Sequence, residues 1–288
     1  MNELLNNFYG IYPTWIENNI FQFQNQRFCL VDCYLSEKQL CQLLEINQLV
    51  INQMGQGGYL PIKNTQRHFL TNHQVVFQIN EFPVSLEHFF RPHYITLTSH
   101  KTLVDVRERW IEKVEFVQKR FAYEVDCHQN HYAFKMTLIE YHIGMAKTAI
   151  GILNDLIYDY PSGVALNMVC HRRIHALDFK NCMYPMNFIM DNRARDLSEL
   201  FLHGLIDENE VMRCFEQQGY TPAEMLYFFC RLLYPVWFFD LIEEAYFLNK
   251  ESLLDDAYFC EQMDKHLVAI KKIYMLLTRK IHLKPLNW

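Results

Sequence analysis

Apolar residues recur at a period of two early in this chain and at a period of three to four later, and that switch limits the folds open to it. Asn19 to Cys33 alternates apolar and polar residues around Asn25-Gln26, which predicts a β-hairpin. Ser36 followed by Gln39 has the form of a capping box. The helix it opens carries Leu40, Leu43, Leu44, Ile46 and Leu49 on one face and runs to about Met54, where Gly55, Gly57 and Gly58 end it. Strand-like runs follow at Tyr59 to Ile62 and Val75 to Ile79. From Ser99 the period lengthens. Val106, Trp110, Val114, Val117 and Phe121 form one face, with Arg107, Arg109, Glu112 and Lys119 opposite. Further helices are predicted over Ala133 to Tyr158, Ala223 to Leu248 and Leu253 to Ile281. The pattern predicts an α+β chain, with a small mixed lobe over residues 1–97 and a helical lobe over 98–288. No internal repeat or low-complexity linker separates the lobes, which are expected to pack as one body.

Charge and composition exclude several function classes. A formal net charge of -6 lacks the clustered basic excess that nucleic acid requires, so no nucleic-acid partner is expected. The opening MNELLNNFYGIYPTWIENN is polar and broken by Gly10 and Pro13, unlike a secretory leader. The nine cysteines are odd in number and form no C-x-x-C pair, which fits a reducing cytoplasm. Met225 to Phe239 is interrupted by Arg231 and Pro235 and is too short to span a bilayer, so no membrane span is expected.

The stretch from Cys170 to Glu199, CHRRIHALDFKNCMYPMNFIMDNRARDLSE, carries the most chemistry. It resembles the catalytic loop of phosphotransferases related to aminoglycoside and choline kinases, which read H-G-D-x-H-P-x-N with a second, metal-binding Asp further on. His171 and His175 match the two histidines, and Asp191 stands where the metal-binding Asp belongs. Arg173 occupies the place of the catalytic Asp, and Asp178 that of the Asn. The wider pattern resembles the spore-coat-associated kinase-like proteins of Firmicutes, the CotS and YutH group, and the YutH branch most. The residues that carry this likeness are Met145-Ala-Lys-Thr-Ala-Ile150 before Asn154-Asp155, Cys170 to Arg173, Asp191 to Glu199, Arg231 to Phe239 and the closing Pro285-Leu-Asn-Trp288. The resemblance implies a bilobal protein-kinase-like (aminoglycoside phosphotransferase-like) fold and a role connected with the spore coat.

Read for chemistry, the loop is degenerate. Arg173 cannot act as a base, since its pKa lies above about 12. The strand pair that should cover the phosphates, Phe21 to Phe28, contains no glycine to let backbone N–H groups approach them. The phosphate-pairing lysine expected next to Leu30 is replaced by Val31 and Asp32, with Arg27 and Lys38 the nearest cations and neither in register. Asp178 and Asp191 can still hold a divalent cation; the plainer alternative is that Asp191 caps or turns the chain before a helix over Arg193 to Leu202 and that Asp178 is simply exposed. Arg172 and Arg173 either pair with nearby acids or bind an anion. Cys170, His171 and His175, with Cys182 near, invite a zinc reading, but the spacing matches no ligand motif and histidines bracing a loop explain them. A nucleophilic Cys170 beside His171 lacks an orienting acid. Asp196 suits the first turn of its helix. The aromatic residues Tyr227, Phe228, Phe229, Tyr234, Trp237, Phe238 and Phe239 read as core, with an exposed docking patch as the alternative.

The expectation is therefore a catalytically inactive kinase-like protein, a binding or assembly factor for spore coat components, in the cytoplasm or the coat. No cofactor is expected. The alternatives are a small-molecule phosphotransferase with an atypical site and a scaffold that holds ATP and magnesium without transfer. His171, Arg173, His175 and Asp178 mark the degenerate loop, and Asp178 and Asp191 the candidate metal ligands.

Overall fold

The computed structural model describes residues 2–17, 19–55, 57–90, 100–127, 133–247 and 256–286. In chain order the elements are α1 (Asn2–Leu4), a π-helical turn (Leu5–Tyr9), β1 (Trp15–Glu17), β2 (Ile20–Phe23), β3 (Gln26–Asp32), α2 (Glu37–Met54), β4 (Tyr59–Ile62), β5 (Leu70–Thr71), β6 (Gln74–Ile79) and α3 (Glu87–Phe90). Then come α4 (Leu103–Cys127), α5 (Ala133–Asp159), β7 (Met168–His171), α6 (Phe179–Met183), a 3-10 turn (Pro185–Asn187) and β8 (Phe188–Asp191). The chain continues through α7 (Ala194–Leu202), α8 (Glu208–Gln217), α9 (Pro222–Leu233), α10 (Val236–Phe247) and α11 (Asp256–Leu277). The expected change of pattern at Ser99, the start of the last helix at Leu253 and the closing Asn287-Trp288 lie outside the described residues.

Two compact units result. The first comprises Met1–Thr96 and Val169–Ile189, the second Leu97–Met168 and Met190–Trp288. The first unit is built on an antiparallel sheet in the order β1-β2-β3-β6-β4, with β5 paired to β6. Phe23 faces Gln26, so Gln24 and Asn25 form the β2–β3 turn, one residue earlier than the alternation suggested. Both take positive φ, 49° and 62°, the conformation whose twist suits a two-residue hairpin. Side chains along β3 alternate between two cores. Cys29 and Val31 pack with Leu40 and Leu44 of α2, and with Val75 and Phe77 of β6. Phe28 and Leu30 point the other way, into a cluster with Phe21, Val76, Leu5 and Ile11. The first turns of the chain, expected to be polar and irregular, thus cover a sheet face with a fully buried Leu5.

The capping box at α2 forms as expected, Ser36 and Gln39 bonding each other's backbone N–H. Of the predicted face, Leu40 and Leu44 are buried and Leu43 and Ile46 pack half-buried against the same core, while Leu49 faces solvent and Asn47, Val50 and Ile51 complete the buried stripe. Asn47 intrudes on an apolar face because its Nδ2 donates to Tyr59 O at 2.7 Å, tying α2 to β4. Phe179, Met183 and Phe188 join the same core as Val75 and Phe77, which places residues 169–189 with the sheet rather than with the helices around them in sequence.

In the second unit α9 is central, packing against α5, α7 and α11. Thr221 and Glu224 cap it, and Pro222 occupies its first turn. A helix apolar around its whole circumference must be buried. Tyr227, Phe228, Phe229, Tyr234, Phe238 and Phe239 are all core, and Trp237 is half-buried, so the aromatic run is no exposed patch. The apolar stretch predicted as one helix breaks at Tyr234-Pro235 into α9 and α10, bent by 41°. Among the described residues no single helix is long and apolar enough to cross a membrane.

Candidate functional site

The loop after β7 lies in the first unit, and backbone bonds and one asparagine hold it. His171 Nε2 lies 2.9 Å from Cys182 O, and its ring packs against Phe89 and Phe188. It braces the loop. Cys170 is fully buried, and Cys182 Sγ lies 3.6 Å from Ala176 O. Asn187, which sequence reasoning passed over, holds the loop closed. Its Nδ2 donates to Arg173 O at 2.7 Å and Asn181 O at 2.8 Å, while its Oδ1 accepts from Arg173 N at 3.1 Å. Arg172 N donates to Asn187 O at 2.7 Å. Arg173 is itself half-buried.

Asp178 is exposed, and it also caps a helix. Its Oδ1 accepts from Asn181 N at 2.7 Å and its Oδ2 from Asn181 Nδ2 at 2.8 Å, so both oxygens serve the start of α6. His175 is exposed. On the sheet, Val31 is buried against α2, and Asp32 Oδ1 accepts from Gln74 Nε2 at 2.8 Å. Arg27 pairs with Glu81 at 2.9 Å on the surface.

Asp191 belongs to the second unit, and it does not cap α7, whose N-cap residue is Arg193. It is wholly buried, and five groups converge on it. Oδ1 accepts from Tyr227 OH at 2.8 Å and from Asn192 N at 2.9 Å. Oδ2 lies 3.1 Å from Arg195 Nη1, 3.5 Å from Lys101 Nζ and 3.9 Å from Arg231 Nη1. Burial alone would raise the carboxyl pKa. Arg231, Lys101, Arg195 and the Asn192 N–H outweigh it and hold the carboxyl far below its usual range. Tyr227 moves the other way: burial and the adjacent Asp191 push its hydroxyl well above the ordinary value and keep it a donor.

The surrounding charges extend this network. Arg231 also lies 3.9 Å from Glu199 and sits over the Trp110 ring at 5.8 Å. Lys101 donates to Met190 O at 3.0 Å, and its pKa is lowered, chiefly by burial and against the pull of Asp191. Next along the chain, Asn192 Nδ2 and Arg193 bind Glu224, with Arg193 Nη2 to Glu224 Oε2 at 2.8 Å. Asp196 lies in the first turn of α7.

Magnesium needs carboxylate oxygens with open lone pairs at about 2.1 Å. A carboxylate offers roughly four such positions; Asn192 N, Tyr227 OH and Arg195 Nη1 hydrogen-bond Asp191, and Lys101 and Arg231 stand 3.5 and 3.9 Å from Oδ2. A divalent ion there would also face Lys101, Arg195 and Arg231. The residues at Asp191 do not fit a magnesium–nucleotide complex. Among the described residues no group of three His, Cys, Asp or Glu side chains is arranged to hold a metal.

Comparison with known proteins matches this architecture to one family and one fold. Residues 2–279 match the family described as "Spore coat putative kinase YutH". An aminoglycoside phosphotransferase from Alicyclobacillus acidocaldarius superposes with a TM-score of 0.63 at 12% identity, covering 93% of each chain. The AMP-bound spectinomycin phosphotransferase APH(9)-Ia gives 0.51 at 11% identity, over 93% of this chain and 96% of that one. The choline kinase LicA from Streptococcus pneumoniae gives 0.50 at 11% identity, over 94% and 97%. No curated protein matches the sequence. At these identities the solved structures establish the α+β kinase-like fold and no activity.

Proposed function

The chain belongs to the spore coat YutH family, and on that premise we propose that it is a catalytically inactive kinase-like protein, a binding or assembly factor for spore coat components in the cytoplasm or the coat. The observation that supports this most is the engagement of Asp191 by three cations and a tyrosine, all within 4 Å of its carboxylate. Phosphoryl transfer depends on positioned metal, phosphate cradle and base. Here the metal acid is committed to an internal ion cluster, the base position is Arg173, and no glycine lies between Gly10 and Gly55. Each loss would reduce the rate by orders of magnitude, and no single side chain restores all three.

The test is direct. Purified protein with magnesium-ATP and choline, spectinomycin or another aminoglycoside should transfer no phosphate. ATP-dependent phosphorylation of any of these, abolished by Asp191→Asn in a folded variant, would overturn the reading. In a spore-forming host, a coat defect caused by deleting the gene should be rescued by Asp178→Ala, which removes the exposed acid nearest the degenerate loop. Loss of rescue at normal protein level would favour an enzyme.

A further inference from the structure

Both faces of the first-unit sheet carry apolar side chains, and the chain itself covers both. We infer that this coverage excludes nucleotide from the sheet, so that the protein does not hold ATP as a bound, unreacted ligand. The inference rests on the inactive reading above and narrows it, because a scaffold that retains ATP would satisfy that reading equally well.

The argument follows β3, where the resemblance puts a phosphate-pairing lysine at Val31 or Asp32. If Val31 marks the nucleotide face, that face is filled by residues of the degenerate loop itself. Phe179 stacks on Tyr59 with centroids 5.1 Å apart and planes at 21°. Phe82 meets Phe179 edge-on at 5.5 Å, and Tyr184 meets Tyr59 at 5.8 Å. Met183 and Phe188 complete a core that also holds Val31. A ring from α6 thus packs into the core that carries Val31. Packing there is tight: a Cβ on Gly58 would lie 2.5 Å from Ile51 Cγ1.

If Asp32 marks the nucleotide face instead, Leu5 and Ile11 cover it, packed on Phe21, Phe28, Leu30 and Val76. Phe21 and Phe28 stack at 5.4 Å across the hairpin. Either register therefore leads to a dry, aromatic-rich face. On neither face does β3 offer a cation toward phosphate, since Arg27 is turned to Glu81. Burying a triphosphate against such a surface without paired charges is strongly unfavourable.

Two measurements on the full chain test this. Magnesium-ATP at millimolar concentration should leave Tm unchanged, whereas a ligand at a hundred times its Kd raises Tm by roughly 5 °C or more. Phosphate transfer is assayed on the same sample. A Tm rise without turnover overturns the exclusion and leaves the inactive reading standing; a rise with turnover overturns both. The second measurement is a cycle of Tyr59→Leu, Phe179→Leu and the double variant. Rings packed as described are coupled, so the double variant should lose less Tm than the two singles combined. Strictly additive losses would mean that Phe179 does not fill the space against Tyr59, and would sink the inference.

Discussion

Replacing Asp191 by asparagine separates an internal counterion from a metal ligand by the sign of the stability change. A carboxylate reserved for a cation stands in an uncompensated negative field, and neutralising it leaves the apo protein unchanged or more stable. Asp191 has the opposite surroundings. Its side chain is 0% exposed, and its partners Arg231 and Arg195 are 4% and 8% exposed. Removing one partner of such a buried cluster costs about 3–5 kcal/mol, because the remaining charges stay desolvated. For a chain of this size that corresponds to a fall in Tm of roughly 10 °C. Asparagine keeps the shape and an acceptor for Tyr227, so the loss reports charge rather than a cavity. Urea denaturation followed by far-UV circular dichroism should show the midpoint shift with an unchanged slope. The difference should also depend on acid. The folded carboxyl titrates below its unfolded value, so its contribution is complete above about pH 4 and is lost as the pH falls further. A variant within about 1 kcal/mol of wild type at pH 7, or more stable than it, would refute the counterion argument.

Three further outcomes follow from particular contacts. His142 and His266 are buried in α5 and α11, and burial lowers both to about 4 from 6.5. The unfolded chain therefore takes up protons that the folded one refuses, and stability present above pH 6.5 should fall by roughly 3 kcal/mol per histidine on the way to pH 4; urea midpoints at pH 7.5 and 5 read the slope, and a flat profile would contradict the burial. Asn187→Ala should cost about 2 kcal/mol and abolish amide-exchange protection at Arg173, whose N–H donates to Asn187 Oδ1, while Arg172, bonded to the Asn187 backbone carbonyl, keeps its acceptor; retained protection at Arg173 would show that the loop is held by something else. Gly57→Ala places a Cβ 2.1 Å from Asn80 O, a backbone atom, and should destabilise by about 3 kcal/mol; a neutral result in a denaturation curve would mean that β4 can move away from β6.

What the sequence revealed and what it hid divide by the range of the interactions. The Ser36–Gln39 box, the strand at Tyr59–Ile62 and the long helix from Ala133 were legible because caps, β-branched or aromatic runs and helical periods act within a few residues. The buried stripe of α2 was legible only in part: Leu40 and Leu44 were read, but Asn47 reads as polar, and only Tyr59 O, twelve residues on, makes its burial tolerable. The N-terminal turns gave no period long enough to detect, although Leu5 is fully buried. Pro235 did announce the break between α9 and α10, yet the apolar run around it read as one helix. The sequence drew attention to Arg173, Asp178 and Asp191, but it carried no sign of the groups that surround Asp191. Its partners come from the segment before α4, from α7 and from α9, at residues 101, 195, 227 and 231. No local spacing links them.

That convergence bears on function through what a working site normally leaves undone. Catalytic groups are kept with open lone pairs and little packing, at a cost in stability. Several of the side chains in and beside the loop that the resemblance singled out are engaged by other groups of the protein. Asp191 is neutralised by cations, Asp178 caps α6, and His171 and Asn187 hold backbone carbonyls. Val31 lies in an aromatic core, and the glycine-poor hairpin closes on a two-residue turn. On the reading proposed above these positions support one another: with Arg173 in place of a base, a free metal at Asp191 would have nothing to act with, and with Asp191 paired, an open phosphate cradle would have nothing to hold. Under the inactive reading proposed above, agreement between local and tertiary preferences at these positions is the expected outcome, since no catalytic demand opposes packing there. The coat-directed role proposed here should therefore be sensitive to substitution of exposed side chains and indifferent to ATP.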